Sequence, residues 1–164
     1  MRYHKIRSAD ISNGPGVRVS IFVQGCNHRC PGCFNPETWD FNGGLIFTRR
    51  VKIQFLELAK QKEIVGFSIL GGEPLQQGED MLDLVRSMKD LHPNKTIWMW
   101  TGYRFEDLTE EQLEIVKYVD VLVDGKFIES ERCPKERFKG SYNQRIIDVQ
   151  KTLDTKEIQL STLF

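Results

Sequence analysis

Stretches with the pattern of buried β-strands alternate along this chain with stretches that have the pattern of amphipathic α-helices. The predicted strands cover residues 17–23, 65–70, 96–101, 119–123 and 146–149. The predicted helices between them cover residues 48–63, 81–91 and 109–118, and a threonine stands where the first and the third would begin. This alternation favours a parallel sheet built from βαβ units, so the predicted fold class is α/β.

The length of the chain, 164 residues, limits how many such units the sheet can hold. A closed (β/α)8 barrel needs about 250 residues, so this chain has room for about five βα units. The expected architecture is therefore an open partial barrel, formed by a single domain over residues 1–164. The last 15 or so residues follow the predicted strands and are expected to form a tail whose structure the sequence does not define.

The charge balance gives the chain no general attraction to nucleic acid or to an anionic membrane, because 23 Lys and Arg residues oppose 23 Asp and Glu residues. The sequence has no apolar run long enough to span a bilayer, and its first residues have no signal-peptide pattern. We therefore expect a cytoplasmic protein that binds neither nucleic acid nor membrane. Thiols stay reduced in that compartment, so clustered cysteines are more often metal ligands than disulfides.

Three of the four cysteines, Cys26, Cys30 and Cys33, are grouped within eight positions in a C-x3-C-x2-C pattern. Seven residue steps span roughly 23 Å when extended, so the segment must curl if the three sulfurs are to meet. Glycine and proline within the segment permit such a curl. The fourth cysteine, Cys133, lies in a charged stretch typical of a surface loop and is not expected to join the other three.

The spacing of these three thiols leaves two kinds of metal site open. Structural zinc prefers four ligands, usually in two separated pairs, and His28 could supply the fourth only within a very short arc. The run typical of bacterial ferredoxins has four cysteines, so that protein ligands hold every iron. Three thiolates on a four-iron cluster would instead leave one iron open to a substrate. A small zinc site and an open 4Fe-4S cluster are therefore the alternatives.

The C-x3-C-x2-C loop resembles the cluster loop of radical S-adenosylmethionine (SAM) enzymes. The sequence Asn-Gly-Pro-Gly-Val-Arg at 13–18 precedes it, as in the activases of glycyl-radical enzymes. The sequence Cys-Pro-Gly-Cys-Phe-Asn-Pro at 30–36, followed by Thr38 and Trp39, is similar to the branch of activases that acts on anaerobic (class III) ribonucleoside-triphosphate reductases. Stretches that agree with the same branch lie at 71–74, 98–103, 121–127 and 140–145.

The resemblance runs from about residue 3 to about residue 149 and implies a radical SAM oxidoreductase. It implies two cofactors, one 4Fe-4S cluster held by Cys26, Cys30 and Cys33, and SAM. In such enzymes the reduced cluster cleaves SAM to methionine and a 5′-deoxyadenosyl radical, which takes a hydrogen from a backbone glycine of the large reductase subunit. The implied partners are that subunit and a low-potential electron donor such as a flavodoxin or ferredoxin. No side chain needs to act as a catalytic acid or base.

The resemblance also assigns the SAM contacts. They are Gly32, Cys33, Phe34, Gly71, Gly72, Glu73, Thr101, Asp124 and Lys126. Residues 71–74 are similar to the methionine site, where the missing Cβ lets the backbone approach the ligand and Glu73 accepts a hydrogen bond from its ammonium. Gly32 and Phe34 correspond to positions that meet the adenine. Thr101, Asp124 and Lys126 would bind the polar groups of SAM or a cation at the carboxyl ends of the strands, where chemistry gathers in parallel sheets.

Plainer interpretations remain for several of these residues. Residues 71–74 could be a strand-ending turn, and Phe34 could be part of the core. Asp124 and Lys126 could be solvated surface residues, and His28 is expected beside the cluster loop without being a ligand. At the level of function, the alternatives are an activase of another glycyl-radical enzyme, a small-molecule radical SAM enzyme and, more remotely, a zinc-binding interaction module.

Overall fold

The computed structural model describes residues 1–162 and shows a mixed α/β fold, which confirms the predicted class. The strands are β1 (Arg2–Asp10), β2 (Val17–Gln24), β3 (Leu45–Ile46), β4 (Ile64–Gly71), β5 (Thr96–Trp100), β6 (Val121–Asp124) and β7 (Arg145–Asp148). The helices are α1 (Arg49–Leu58), α2 (Glu79–Leu91), α3 (Glu110–Val116) and α4 (Val149–Thr155). The strands form one seven-stranded sheet in the order β3-β1-β2-β4-β5-β6-β7.

The central strands β2, β4, β5 and β6 are parallel, and α1, α2 and α3 connect them in turn. These four strands lie where the sequence predicted them. The fifth predicted strand exists as β7, but it runs antiparallel to β6. A parallel neighbour would need a long crossover, usually a helix, and the only helix in the 20 residues between β6 and β7 is one short 3-10 turn. The βα pattern therefore ends at four parallel strands rather than five units.

Three elements were not predicted. β1 lies antiparallel to β2, and the short strand β3 pairs antiparallel with the outer edge of β1. α4 begins at the last residue of the fifth predicted strand and extends into the segment expected to be a tail. Beyond α4 the chain returns to the sheet, where Leu160 bridges Ile147. The final two residues of the predicted tail lie outside the described residues. Within residues 1–162, no helix is both long enough and apolar enough to cross a bilayer.

The sheet has one apolar face and one mixed face. Side chains such as Ile21, Ile69 and Met99 are fully buried and pack against the helices, where Phe55 and Met88 fill the core. Alternate residues of the same strands point the other way, because successive side chains on a strand face opposite sides. The helices cover one face, and the other face remains available for a site.

Arg18 is a charged residue on that second face, and its side chain is completely buried. Its guanidinium donates to Ser68 Oγ at 2.9 Å, to the Phe67 carbonyl at 2.8 Å and to the Thr96 carbonyl and hydroxyl at 2.9 and 3.1 Å. It also donates to the Pro15 carbonyl at 3.2 Å. Burial lowers the pKa of Arg18 to about 10. The Arg18 guanidinium thereby connects the loop after β1 to the strands β2, β4 and β5.

Replacing Arg18 with methionine is expected to destabilise the cluster-free protein by about 3 kcal/mol, because several buried acceptors lose their donors at once. Urea unfolding followed by circular dichroism measures the loss as a lower midpoint at unchanged slope. The control is Arg50→Met on the exposed side of α1, which should stay within about 0.5 kcal/mol of the parent. Equal midpoints for the two variants would contradict this account of Arg18.

Candidate functional site

A cavity of about 450 Å³ opens on the second face of the sheet, where the carboxyl ends of the parallel strands meet. Eight of the residues predicted for the site line it: Cys26, Cys30, Cys33, Phe34, Gly71, Gly72, Glu73 and Thr101. Three other predicted residues, Gly32, Asp124 and Lys126, are not part of its lining. The loops that follow β2, β4 and β5 therefore converge as the topology predicted.

The three thiols of the cysteine loop are free and surround the same cavity. Burial raises the pKa of Cys26 and of Cys30, and backbone hydrogen bonds to each sulfur oppose that rise, with Phe127 supplying the one to Cys30. The backbone N–H of Asn35 donates to Cys33 Sγ at 3.4 Å. The Cys33 sulfur thus accepts a backbone hydrogen bond from within its own loop.

Backbone contacts fix the curl of the cysteine loop. The N–H of Gly25 donates to the Thr38 carbonyl at 2.7 Å, and the N–H of Cys26 donates to the Trp39 carbonyl at 3.1 Å. Both ends of the loop are therefore held together at the end of β2. Gly32, at φ +73°, makes the turn before the third cysteine, and a Cβ there would lie 2.7 Å from the Glu129 carboxylate. The positive φ of the turn favours glycine at position 32, whereas the exposed Glu129 side chain could move aside for a Cβ.

Glu73 is a buried carboxylate, 1% exposed, that connects three loops. Its Oε1 accepts from Thr101 Oγ1 at 2.8 Å and from the Leu75 N–H at 2.9 Å. Its Oε2 accepts from the Gly102 N–H and from His28 Nε2, both at 2.8 Å. Each carboxylate oxygen of Glu73 therefore accepts two hydrogen bonds from the protein. The carboxylate fixes the relative positions of the cysteine loop and the loops after β4 and β5.

His28 was expected beside the cluster loop without being a ligand, and the structure places it in the network around Glu73. Its ring meets Tyr103 edge-on, with centroids 4.7 Å apart, and a Cβ on Gly102 would lie only 2.5 Å from it. The sequence Thr-Gly-Tyr after β5 is thus shaped around a histidine from the cysteine loop. The partners of His28 lie 45 or more residues away in sequence, so the only local signal was its position between two cysteines.

Asp124 is fully buried at the end of β6 and is held by protein donors. Arg145 Nε and Nη2 donate to its two oxygens at 3.0 and 2.5 Å, and the Phe105 N–H donates at 2.9 Å. Arg145 also forks onto Glu106 at 2.9 and 2.6 Å, and this contact lowers the pKa of Glu106 to about 2. Asp124 therefore ties β6 to β7 beside the cavity.

Phe34 lines the cavity although it is 56% exposed. It packs on Phe127 with ring centroids 4.9 Å apart, and the Arg132 guanidinium lies 5.4 Å from its ring centre. A Cβ on Gly140 would approach Phe34 to 2.8 Å. Phe34 is thus a cavity wall rather than a core residue.

Cys133 is 1% exposed, although it was predicted to lie in a surface loop. The loop around it is largely exposed, but the thiol itself turns inward, and its Sγ lies 3.8 Å from the Lys139 carbonyl. Cys133 is not part of the cavity lining. It also forms no disulfide with the other three cysteines.

The cavity also has a lining that the sequence reasoning missed. These residues include Lys5, Arg7, Phe22, Leu70, Trp39, Trp100 and Phe138. Trp39 and Trp100 fall in stretches that carried the family resemblance, although no role was predicted for them. Most of the others lie on strands, and no short sequence pattern marks them. They make up the side of the cavity nearest β1 and β2 and its far wall at β5.

Comparison with known proteins agrees with this geometry. The sequence model of the family described as "4Fe-4S single cluster domain" matches residues 12–147, which include all three cavity cysteines. A relative named anaerobic ribonucleoside-triphosphate reductase-activating protein, from Escherichia coli K12, is 42% identical over 148 residues, covering 88% of this chain and 96% of its own. Proteins of the same name from Salmonella typhi and from bacteriophage T4 are each 43% identical over 148 residues, covering 96% and 93% of their own lengths.

This chain belongs to the family of anaerobic ribonucleoside-triphosphate reductase-activating proteins. The resemblance inferred from the motifs is thereby confirmed. The family match also supports an iron–sulfur cluster as the group that the cysteine loop binds.

The residues of this family member fit such a cluster in two respects. Three free thiols surround one cavity, and one of them, Cys33, accepts a backbone hydrogen bond. The indole N–H of Trp39, which also lines the cavity, is buried without an acceptor and could donate to sulfur.

Proposed function

We propose that this protein activates an anaerobic ribonucleoside-triphosphate reductase by generating a radical on a backbone glycine of its large subunit. The observation that carries the proposal is the meeting of three free thiols and the Glu73 network at one open cavity. The relatives named for that activation support the choice of partner.

Cys26, Cys30 and Cys33 would each hold one iron of a 4Fe-4S cluster, leaving the fourth iron for SAM. The chemistry that the cluster and SAM supply when bound is the one-electron cleavage of SAM to methionine and a 5′-deoxyadenosyl radical, which removes a hydrogen atom from the glycine. The protein binds, orients and shields these groups. It needs no acid or base of its own.

Residues 71–73 would form the methionine site of SAM. Their backbone is rigid, because the Gly72 N–H donates to the Val23 carbonyl and the Glu73 N–H donates to the Gly25 carbonyl, both at 2.8 Å. Glu73 places its negative charge near the SAM ammonium, and its four protein donors keep that charge in place. Thr101 supports the charge through its hydroxyl.

The other SAM contacts assigned from the resemblance take different roles in this proposal. Phe34, as a cavity wall, would pack on the adenine. Gly32 and Asp124 act through the backbone that they hold, since neither lines the cavity. Lys126 also lies outside the lining. Its positive charge lowers the pKa of Cys30 and so acts against the larger increase that burial causes. It would therefore face the anionic cluster from outside.

The finer description of the fold belongs to the same proposal. The four parallel strands and their helices would form one radical SAM domain over residues 1–164, an open partial barrel whose second face encloses the cofactors. An open side lets a glycine on a loop of another protein enter. Electrons would come from a low-potential donor such as a flavodoxin or ferredoxin, in the cytoplasm, where thiols stay reduced.

Isotope transfer tests the proposal. The reductase is labelled with glycine deuterated at Cα and incubated anaerobically with this protein, SAM and a reductant. One deuterium should appear in the 5′-deoxyadenosine, measured by mass spectrometry, and reductase labelled at other residue types is the control. Unlabelled 5′-deoxyadenosine formed in the presence of a tightly bound, glycine-labelled reductase would contradict it.

A further inference from the structure

Two cations from β1 line the cavity on the side away from the Glu73 network. Lys5 and Arg7 are two residues apart on a regular part of the strand, so their side chains lie on the same face. Both lie against one aromatic ring, because Lys5 Nζ is 4.6 Å and Arg7 Cζ is 5.0 Å from the centroid of Phe22. Phe22 is only 4% exposed, so it offers both cations a fixed surface.

The charges of this pair are poorly compensated. Within residues 1–162, the Lys5 ammonium has no hydrogen bond or ion pair, and its contact is the ring of Phe22. Arg7 Nη1 lies 3.8 Å from Asp10 Oδ2, which is a loose contact. Asp10 is already held by the Ser12 N–H at 2.8 Å, by Asn13 Nδ2 at 2.7 Å and by Ser20 Oγ at 2.6 Å. The pair can therefore still accept an anion.

The rest of the cavity does not neutralise the pair. Glu73 is the one carboxylate among the described residues that line the cavity, and four protein donors hold it. β1 and β4 lie on opposite sides of β2 in the sheet. At ordinary strand spacing, β1 is therefore about 10 Å from β4. A positively charged wall in a concave site attracts negative groups.

The position of the pair indicates which anion it would bind. The amino group and the carboxylate of SAM share one carbon, so a SAM held at Glu73 keeps its carboxylate near β4. The outer edge of β1 is open beyond Tyr3, because β3 pairs only with Arg2 and Tyr3. A segment of another protein can reach Lys5 and Arg7 from that edge.

We propose that Lys5 and Arg7 bind a carboxylate on the reductase segment that carries the target glycine, and so align that segment in the cavity. The inference rests on the proposed function, because it takes the reductase as the partner. It adds a docking contact that neither the cluster nor SAM requires.

The test compares Lys5→Gln/Arg7→Gln with Arg50→Gln/Lys62→Gln, which removes the same charge from exposed positions on α1 and in the loop that follows it, outside the cavity lining. Each reconstituted protein is titrated with SAM, followed by the cluster signal, and with the reductase at low and at moderate salt. The β1 variant should bind the reductase about tenfold more weakly at low salt and lose most of the salt dependence. Its iron content should equal that of the parent, and its SAM affinity should stay within about twofold. The control should match the parent throughout.

Two outcomes would overturn the inference. If the β1 variant binds the reductase as the control does, the pair makes no docking contact. If SAM affinity falls while reductase affinity is kept, the carboxylate belongs to SAM. Both are distinguishable from failure of the proposed function, which would appear as a parent protein that binds the reductase and SAM but leaves no radical on glycine.

Discussion

Cys30→Ala is expected to lose most of the cluster iron and all SAM cleavage. Cys30 is one of three free thiols around the cavity, and no other cysteine among residues 1–162 lines it. A cluster left with two protein thiolates would have no ligand to replace the third. Iron and sulfide analysis of anaerobically reconstituted protein measures the first loss, with about four of each per chain in the parent. Release of 5′-deoxyadenosine measures the second.

Cys133→Ala is the matched control, because it removes the fourth cysteine of the same chain. Cys133 is buried in the loop before β7, outside the cavity lining, and its N–H donates to the Gly140 carbonyl at 3.0 Å. The alanine variant keeps that backbone contact and should retain iron and SAM cleavage near the parent level. Loss of the metal from Cys133→Ala would indicate a closed site with four cysteine ligands that binds zinc or iron. It would contradict the proposal that the fourth iron is left for SAM.

Gly72→Val is expected to abolish SAM binding and to reduce cluster retention. A Cβ at position 72 would lie 2.5 Å from the Gly25 carbonyl oxygen, which is directly before Cys26. The sequence alone suggested that only the ligand needs this space. In the structure the cysteine loop occupies part of it, so a larger side chain should displace both. Titration with SAM and the absorbance of the reconstituted cluster measure the two effects.

Gly78→Ala is the control for a glycine replacement that adds backbone strain but no steric contact. Gly78 precedes α2 at φ +60°, and a Cβ there would meet nothing within 4 Å. The variant should lose about 1–3 kcal/mol of stability through strain and still bind SAM.

If Gly72→Val keeps its cluster but not SAM, the space at Gly72 belongs to the ligand alone. Unchanged SAM affinity would remove Gly72 from the site.

The parts of the fold that the sequence predicted are those with a local signal. β2 alternates Val19, Ile21 and Val23 toward the helices, and glycines end β2 and β4 where the site begins. β1 gave no such signal, because one of its faces lines a polar cavity and carries Lys5 and Arg7. The direction of β7 depended on the missing crossover helix, which no pattern within β7 reveals.

The same distinction holds for the site. The cysteine loop and the glycine-rich motif after β4 are short segments, so their resemblance to a known family could be recognised from the sequence. The spacing of the cysteines alone left a zinc site and an iron–sulfur cluster open. The links from Glu73 to His28 and to Thr101 join residues 28 or more positions apart, and only the fold brings them together. Asp124 was placed correctly at a strand end, but Arg145, which lies 21 residues later, holds both of its oxygens.

Electron paramagnetic resonance of the reductase tests the central claim most directly. The candidate reductase is incubated anaerobically with this protein, SAM and a reductant, then separated and frozen. The account predicts a glycine-centred doublet on the reductase, which is absent when Cys30→Ala replaces the parent protein and unchanged in amplitude with Cys133→Ala. SAM cleavage that proceeds normally while the reductase shows no doublet would contradict it and would indicate a small-molecule substrate instead.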